Sequence, residues 1–285
     1  MAIKKRRRAV TSPIDKANEK SDADFIKAYL EPEVPGLDPW RTEWTHPATG
    51  QKYSLGLARP AELGEEDLEA CYRLIKATSR ADYEDSAMKW RPAHKRQEMR
   101  SPELRYIVVR EKPPTEASST ETSAKPPVEI PARGGADVNN TKANGTQEER
   151  GSGNDDGTYA DDAKSTSSSS SSSSSSPTIP AFTSLMPVYE EGEPVVYCYE
   201  IHLSPALQGS GLGRLLLGFQ SIVAHNLGPP VSKVMLTCFL SNQRALQFYN
   251  RQGFATDPLA PTTRRLRGGK TFVPDYTILS KPVVR

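Results

Sequence analysis

Glu200 stands in a run of aromatic and β-branched residues, Val195 to Leu203 (VVYCYEIHL), with Tyr197 and Tyr199 just before it. Such a run reads as a strand, and a carboxylate short of water among rings gains proton affinity, which suits it to accept a proton. Strict alternation sets Cys198 and Glu200 on one face and Tyr197 and Tyr199 on the other unless a bulge re-aims them. A solvent-facing strand glutamate is therefore the competing reading. Next comes Gln208-Gly209-Ser210-Gly211-Leu212-Gly213, between that strand and a helical stretch. Glycines let backbone approach a ligand, and a new helix offers free N–H groups and a positive dipole end, so the turn can cradle an anion. Plain turn chemistry uses the same residues. No Gly-Lys-Ser/Thr follows, and no ribose-binding acid ends a next parallel strand, so neither nucleotide fingerprint fits. Three cysteines (Cys71, Cys198, Cys238) and four histidines (His46, His94, His202, His225) include no C-x-x-C or H-E-x-x-H spacing. No metal site and no disulfide framework are expected.

The elements that must position these residues surround an interruption. After an acidic turn, Leu68, Cys71, Tyr72, Leu74 and Ile75 recur at helical spacing within Gly64–Ser79, and a second helical stretch surrounds Trp90 to Met99. Leu104–Val109 reads as a strand. Ala181–Pro187, a turn at Glu190–Pro194, the Val195–Leu203 strand, a helix from Gly211 to His225, a strand at Lys233–Phe239, a helix at Asn242–Gln252 and a strand near Asp275–Ser280 follow. This order implies an α/β layer. Residues 112–177 are rich in Pro, Gly, Ser, Thr, Asn and acids, with ten consecutive serines at 167–176, and cannot bury enough apolar surface to order themselves. A lone strand at 104–109 makes little sense in a separate domain. One domain, 21–111 with 178–285, interrupted by a disordered insert, is the economical arrangement. The sequons Asn139-Asn140-Thr141 and Asn144-Gly145-Thr146 fall within it, with no secretory segment to make them acceptors.

Composition agrees with a core confined to part of the chain: hydrophobic residues are 36% of 285, with 24 prolines and a mean hydropathy of -0.61. The longest apolar runs fall far short of the roughly 20 residues a membrane helix needs, so a soluble, unsecreted protein is expected. The net charge of +2 conceals Lys4, Lys5, Arg6, Arg7 and Arg8. This basic tail, placed at 1–20, reads as a nuclear address, a grip on an acidic surface, or a solvated end.

The Q-x-x-G-x-G turn after a strand, then a helix, KVMLTCF, and Asn242-x-x-Ala245-x-x-x-Tyr249-x-x-x-Gly253-Phe254 together resemble the GCN5-related N-acetyltransferases (GNAT). With VVYCYEIHL and the terminal DYTILSK, the chain looks like the NatD type, over roughly residues 50–111 and 180–281. The resemblance implies a mixed twisted sheet flanked by helices and acetyl-CoA as cosubstrate, without a metal. It implies acetylation of the N-terminal serine of histones 4 and 2A, whose tails begin Ser-Gly-Arg-Gly, in nucleus and cytoplasm, with nucleosome or ribosome contact through the basic tail and none with membrane. Glu200, Tyr199 and Tyr249 take the catalytic places, Glu200 as base and Tyr249 as acid for the leaving thiolate. Ile201, His202, Leu203, the 208–213 turn and Asn242 fall where the cofactor binds; Asn242 also suits a plain helix cap. Tyr83, Trp90, Glu190, Tyr197 and Tyr276 fall at the substrate, with Glu191 and Glu193 as further partners for its arginine. The insert departs from the pattern, and Val188 stands where an acid is expected. The alternatives are a lysine or small-amine acetyltransferase of this fold, or a catalytically silent chromatin-interaction module.

Overall fold

In the computed structural model, which describes residues 11–113 and 178–285, the β-branched runs form β1 (Glu43–Thr45), β2 (Lys52–Ala58), β3 (Arg105–Glu111), β4 (Ala181–Glu190), β5 (Glu193–Leu203) and β6 (Lys233–Phe239). β7 (Ala255–Thr256) and β10 (Tyr276–Pro282) complete a sheet ordered β1-β2-β3-β4-β5-β6-β10-β7, and β8 (Arg264–Arg265) pairs with β9 (Thr271–Phe272) apart from it. Neighbours are antiparallel except β5 and β6, which are parallel. This mixed sheet flanked by helices is the α/β class expected. β3 and β4, from either side of the insert, lie side by side, Val109 opposite Ala181. The Lys4–Arg8 cluster, the serine run and both sequons lie outside the described residues.

The helices are α1 (Pro13–Glu19), α2 (Asp22–Phe25) running into a π-helical turn at Ile26–Leu30, α3 (Pro60–Asp85), α4 (Pro92–Glu98), α5 (Leu212–Asn226) and α6 (Gln243–Arg251). The expectation of a tail to residue 20 is corrected here. Ser12 Oγ accepts the Asp15 N–H while the Asp15 carboxylate accepts the Ser12 N–H, both at 3.1 Å, a capping box with Pro13 at the first helical position. Ile14 and Ala17 then bury themselves in the core. The β1–β2 hairpin went unread in the sequence.

Two apolar layers sandwich the sheet. On one face α5 and α6 pack with the N-terminal helices around Phe25, Leu216, Phe219 and Val223; on the other, α3 packs around Ile75, Tyr106 and Phe182. β4 turns into β5 through Glu191 (φ 47) and Gly192 (φ 86), the two left-handed residues of a tight hairpin whose twist suits the strands it joins.

Two irregularities of β5 shape the site. First, Ser184 pairs with Glu200 but Leu185 with Cys198, so Tyr199 is an extra, bulged residue. Alternation is broken there: Cys198, Ile201 and Leu203 join the α5 layer, while Tyr199 joins the α3 layer and Glu200 reaches α4. Second, β5 and β6 pair only over Val196–Cys198 and Val234–Leu236. Beyond Cys198, that edge of β5 has main-chain groups outside any ladder, at the end where α5 begins.

Candidate active site

Glu200 is half-buried, its side chain 13% exposed, and each oxygen has a cationic or ring-nitrogen neighbour. Oε1 lies 3.0 Å from Lys95 Nζ and Oε2 lies 2.6 Å from His202 Nε2. Burial pushes the carboxyl up, but Lys95 and His202 together outweigh it and bring it down to about 2. This reverses the expectation that the tyrosine rings raise it. An α-ammonium ordinarily titrates near 7.7–8, so a carboxyl lowered in this way draws its proton poorly. Glu200 is held as an anion between Lys95 and His202, an arrangement that favours aiming an amine over taking its proton.

Lys95 explains why. It is 5% exposed, and its three ammonium hydrogens reach Tyr83 Oη at 2.8 Å, Glu98 Oε2 at 3.0 Å and Glu200. Burial would strip its proton, yet Glu200, Tyr83 and Glu98 more than restore it, so the ammonium persists. A buried lysine on PAHKRQE has the same letters as a surface one. No sequence signal marks it except Glu98 at the i+3 position, which surface helices share.

The aromatic residues assemble as a wall. The Tyr83 ring meets Trp90 at 5.4 Å and Phe239 at 4.8 Å, edge-on to each, and Trp90 lies 5.8 Å from Tyr72. A cavity of about 340 Å³ opens beside them, lined by Tyr83, Trp90, Arg91, His94, Lys95 and Glu98 among others. Tyr197 lies 5.1 Å from Tyr199, and its hydroxyl meets Thr237 Oγ1 at 2.6 Å. Burial pushes both tyrosines up to about 12, so neither serves as a base near neutral pH. Tyr276 opens β10 opposite Phe239. Glu190 is half-buried and raised by that burial and by Glu191, whereas Glu193 is exposed and paired with Lys233 at 2.5 Å. Val188 packs against the α3 layer.

On the opposite face, Tyr249 is buried beside Phe248 and Phe254. Burial raises its phenol well above 10, with Cys198, Cys238 and Glu200 adding to it, so it keeps its proton and can offer it in a hydrogen bond.

The 208–213 turn leads into α5, which starts without a side-chain cap. Gly209 and Gly211 have φ of 80° and 90°. A Cβ on Gly211 would meet nothing within 4 Å, so its glycine is required by conformation and not by room; at Gly213 a Cβ would come 3.2 Å from the Phe248 ring. Ser210 Oγ donates to Leu207 O at 2.6 Å, and Gln208 Nε2 to Leu203 O at 3.1 Å. Free N–H groups at this helix start beside an open strand edge fit a pyrophosphate and an amide-bearing arm.

Two residues expected at the cofactor have side chains engaged within the protein. The His202 ring points away from the turn, at Glu200 and Thr78, so only its main chain faces the parted strands. Asn242 is a cap: Oδ1 accepts the Ala245 N–H at 3.0 Å while Nδ2 donates to Asp82 at 3.2 Å. Among the described residues no cluster of three His, Cys, Asp or Glu could hold a metal, and no helix is long and apolar enough to cross a membrane.

Comparison with known proteins covers the same elements. N-alpha-acetyltransferase 40 of Saccharomyces cerevisiae is 34% identical over 123 residues, 33% of this chain and 41% of the relative. The chain thus aligns with less than half of that relative's length. Among solved structures, Arabidopsis thaliana NAA60 in complex with a bisubstrate analogue is similar at 10% identity and a TM-score of 0.41, over 81% of this chain and 100% of that one. The Escherichia coli ribosomal-protein-S18-alanine N-acetyltransferase is similar at 14% identity and a TM-score of 0.37, over 82% and 95%. The model of the acetyltransferase (GNAT) family matches residues 173–254, from β4 through the turn and α5 to the end of α6, so the chain carries a GNAT acetyltransferase domain.

Proposed function

We propose that this domain transfers an acetyl group from acetyl-CoA to the N-terminal α-amine of a protein chain, and that its substrates are histone 4 and 2A tails beginning Ser-Gly-Arg-Gly, in nucleus and cytoplasm. One observation carries the reading: the bulge at Tyr199 puts an anchored carboxylate and an aromatic wall on one side of β5, while the other edge opens beside the uncapped start of α5. The printed name of the yeast relative, an N-alpha-acetyltransferase, supports the α-amine over a lysine side chain.

Acetyl-CoA supplies the activated acyl group when bound. The N–H groups of Gly209 to Gly213 receive its phosphates, and the main chain of Ile201 to Leu203 receives its arm. Glu200 has lone pairs beyond those used by Lys95 and His202, and with these it accepts an N–H of the amine and aims the nitrogen. Roughly a tenth of such amines are already neutral at pH 7, so orientation matters more than deprotonation. As the amide forms, the nitrogen loses one proton and the departing sulfur gains one, leaving the free thiol, and the Tyr249 hydroxyl supports the developing thiolate by donating a hydrogen bond to it. Tyr83, Trp90, Tyr197 and Tyr276 bound the space for a small first residue, with Glu190 for a following arginine, and the Lys4–Arg8 cluster meets nucleosome or ribosome.

The test is mass spectrometry of a Ser-Gly-Arg-Gly peptide incubated with acetyl-CoA, beside Ala-led and N-blocked versions. Acetyl on the free serine amine is expected; with a lysine added after the fourth residue of each peptide, equal acetylation of that lysine in the blocked version overturns the reading. Gly211→Val, forced into φ 90°, is expected to weaken acetyl-CoA binding about tenfold or more, and unchanged affinity by calorimetry removes the cradle.

A further inference from the structure

His202 is 7% exposed, its ring tilted against Phe182 at 5.5 Å. Three contacts run in a line through it. Thr78 Oγ1 lies 2.8 Å from the Leu74 carbonyl oxygen one turn back on α3, and 2.6 Å from His202 Nδ1; His202 Nε2 lies 2.6 Å from Glu200 Oε2. A carbonyl and a carboxylate only accept, and a threonine hydroxyl has a single hydrogen. A neutral ring has one hydrogen, so with Thr78's own there are two for three contacts, and two lone pairs must meet somewhere. All three are satisfied when the ring has hydrogen on both nitrogens: Thr78 donates to Leu74, Nδ1–H to Thr78, and Nε2–H to Glu200. Moving the extra proton onto Glu200 would also complete the line. It would then set a neutral acid 3.0 Å from the buried Lys95 ammonium, whose other anionic partner, Glu98, is 36% exposed. Lys95 favours the proton on the ring.

We propose that the Glu200–His202 pair holds one resident proton, that His202 carries it as an imidazolium, and that His202 is thereby the positioning residue which, with Lys95, fixes both oxygens of Glu200. Its catalytic consequence rests on the acetyltransferase reading; its protonation does not. Loss of the hydrogen from Nε2 would set its lone pair against the carboxylate at 2.6 Å and make Glu200 turn, whereas loss from Nδ1 would keep Glu200 held and break the Thr78–Leu74 contact instead; the positioning role is the first of these. The other titratable groups near the pair are Lys95 and Glu98 from α4, Tyr83 from α3, Tyr106 from β3, and, across the sheet, the Cys198 thiol and the Tyr249 phenol, both raised by burial. Burial raises Tyr83 and Tyr106 as well, and Lys95 is raised by its anionic partners, so none of these three changes charge between pH 6 and 9.

Nitrogen NMR of protein labelled in its imidazole rings reads the ring directly, with His202→Gln assigning the resonance by its disappearance among those of His46, His94 and His225. Both ring nitrogens of His202 are expected to be protonated at pH 7. A neutral single-tautomer signature there overturns the proposal, whether or not any peptide is acetylated. The positioning role is read from kcat against pH. Wild type is expected to lose activity on the alkaline side, while His202→Gln, whose amide donates to Glu200 without titrating, keeps kcat within about threefold and lacks that limb. His202→Leu, with no donor, is expected to lose tenfold or more in kcat at pH 7. An alkaline limb unchanged in His202→Gln overturns the role.

Discussion

Each face of the sheet buries a cation, and the two are compensated in opposite ways. Lys95, on the α4 side, meets two carboxylates and a phenol and spends every ammonium hydrogen. Arg105, fully buried on the side of the N-terminal helices, shares the single carboxylate of Asp22 with Arg59, and its Nη1 has no hydrogen-bond partner. Burial, then Arg59, brings Arg105 down to about 10, whereas the Lys95 ammonium is reinforced. What Arg105 has instead is the end of α1: Nη2 donates to Ala17 O at 3.0 Å and Lys20 O at 2.9 Å, and the guanidinium lies 4.0 Å from the Phe25 ring. Carbonyls at a helix C-terminus carry partial negative charge, so a helix end substitutes for a missing carboxylate. Where a carboxylate must stay charged and aimed, the network is closed; where a segment must be fastened, main-chain oxygens serve.

Breaking the closed network should cost most. Lys95→Met leaves Glu200 with His202 alone and is expected to destabilise by about 3–5 kcal/mol in denaturant unfolding. Adding Glu200→Gln, which removes the stranded charge, should recover much of that stability while peptide acetylation stays low. A loss below about 1 kcal/mol in the single variant would mean that water reaches the cluster.

The same closure predicts an acid signature. Glu200 is held at about 2, below its ordinary 4.5, so it contributes stability above pH 4.5 that disappears as pH falls toward 2. The expected loss is roughly 3 kcal/mol across that window. Glu200→Gln should flatten it, and an unchanged acid limb in that variant would assign the loss to other carboxylates.

Arg105→Met tests the open cluster and should cost less, about 1–2 kcal/mol. It removes two carbonyl hydrogen bonds but also an undercompensated charge, and the methionine fills the same apolar slot. With Glu200 on the other face, kcat/KM for the peptide is expected to stay within twofold at low temperature. A tenfold fall would couple the two faces.

The two clusters also mark where sequence reading stops. The Val195–Leu203 strand, the glycine turn and the Asn242 helix are local patterns of alternation, φ-permissive residues and caps, and the structure has all three. The bulge at Tyr199 is not local: it depends on Ser184 and Leu185 arriving across the ladder from beyond the insert. Raising Glu200 from its tyrosine neighbours failed for the same reason, because the groups that set its charge are Lys95, 105 residues away, and the ring of His202, which only the bulge turns toward it. The helices at 13–30 escaped notice beside the basic run, although Ser12 and Asp15 have capping-box spacing.

The smallest effect is expected at Asn226, which fastens the same N-terminal segment without charge. From the end of α5 its Nδ2 donates to Tyr29 O at 3.2 Å and to Pro32 O at 2.9 Å, the second bond at the surface. Asn226→Ala frees two carbonyls that water can reach, so only the net worth of the bonds is lost, about 0.5–1 kcal/mol, or a melting shift of roughly 2–4 °C. Arg105 cannot be replaced in this way, since no solvent reaches it. The double variant Arg105→Met/Asn226→Ala should then lose close to the sum of the two, as both act on one segment through separate contacts. A combined loss well below the sum would mean that either change alone already frees the segment, so that α1 and the π-helical turn hold as one unit.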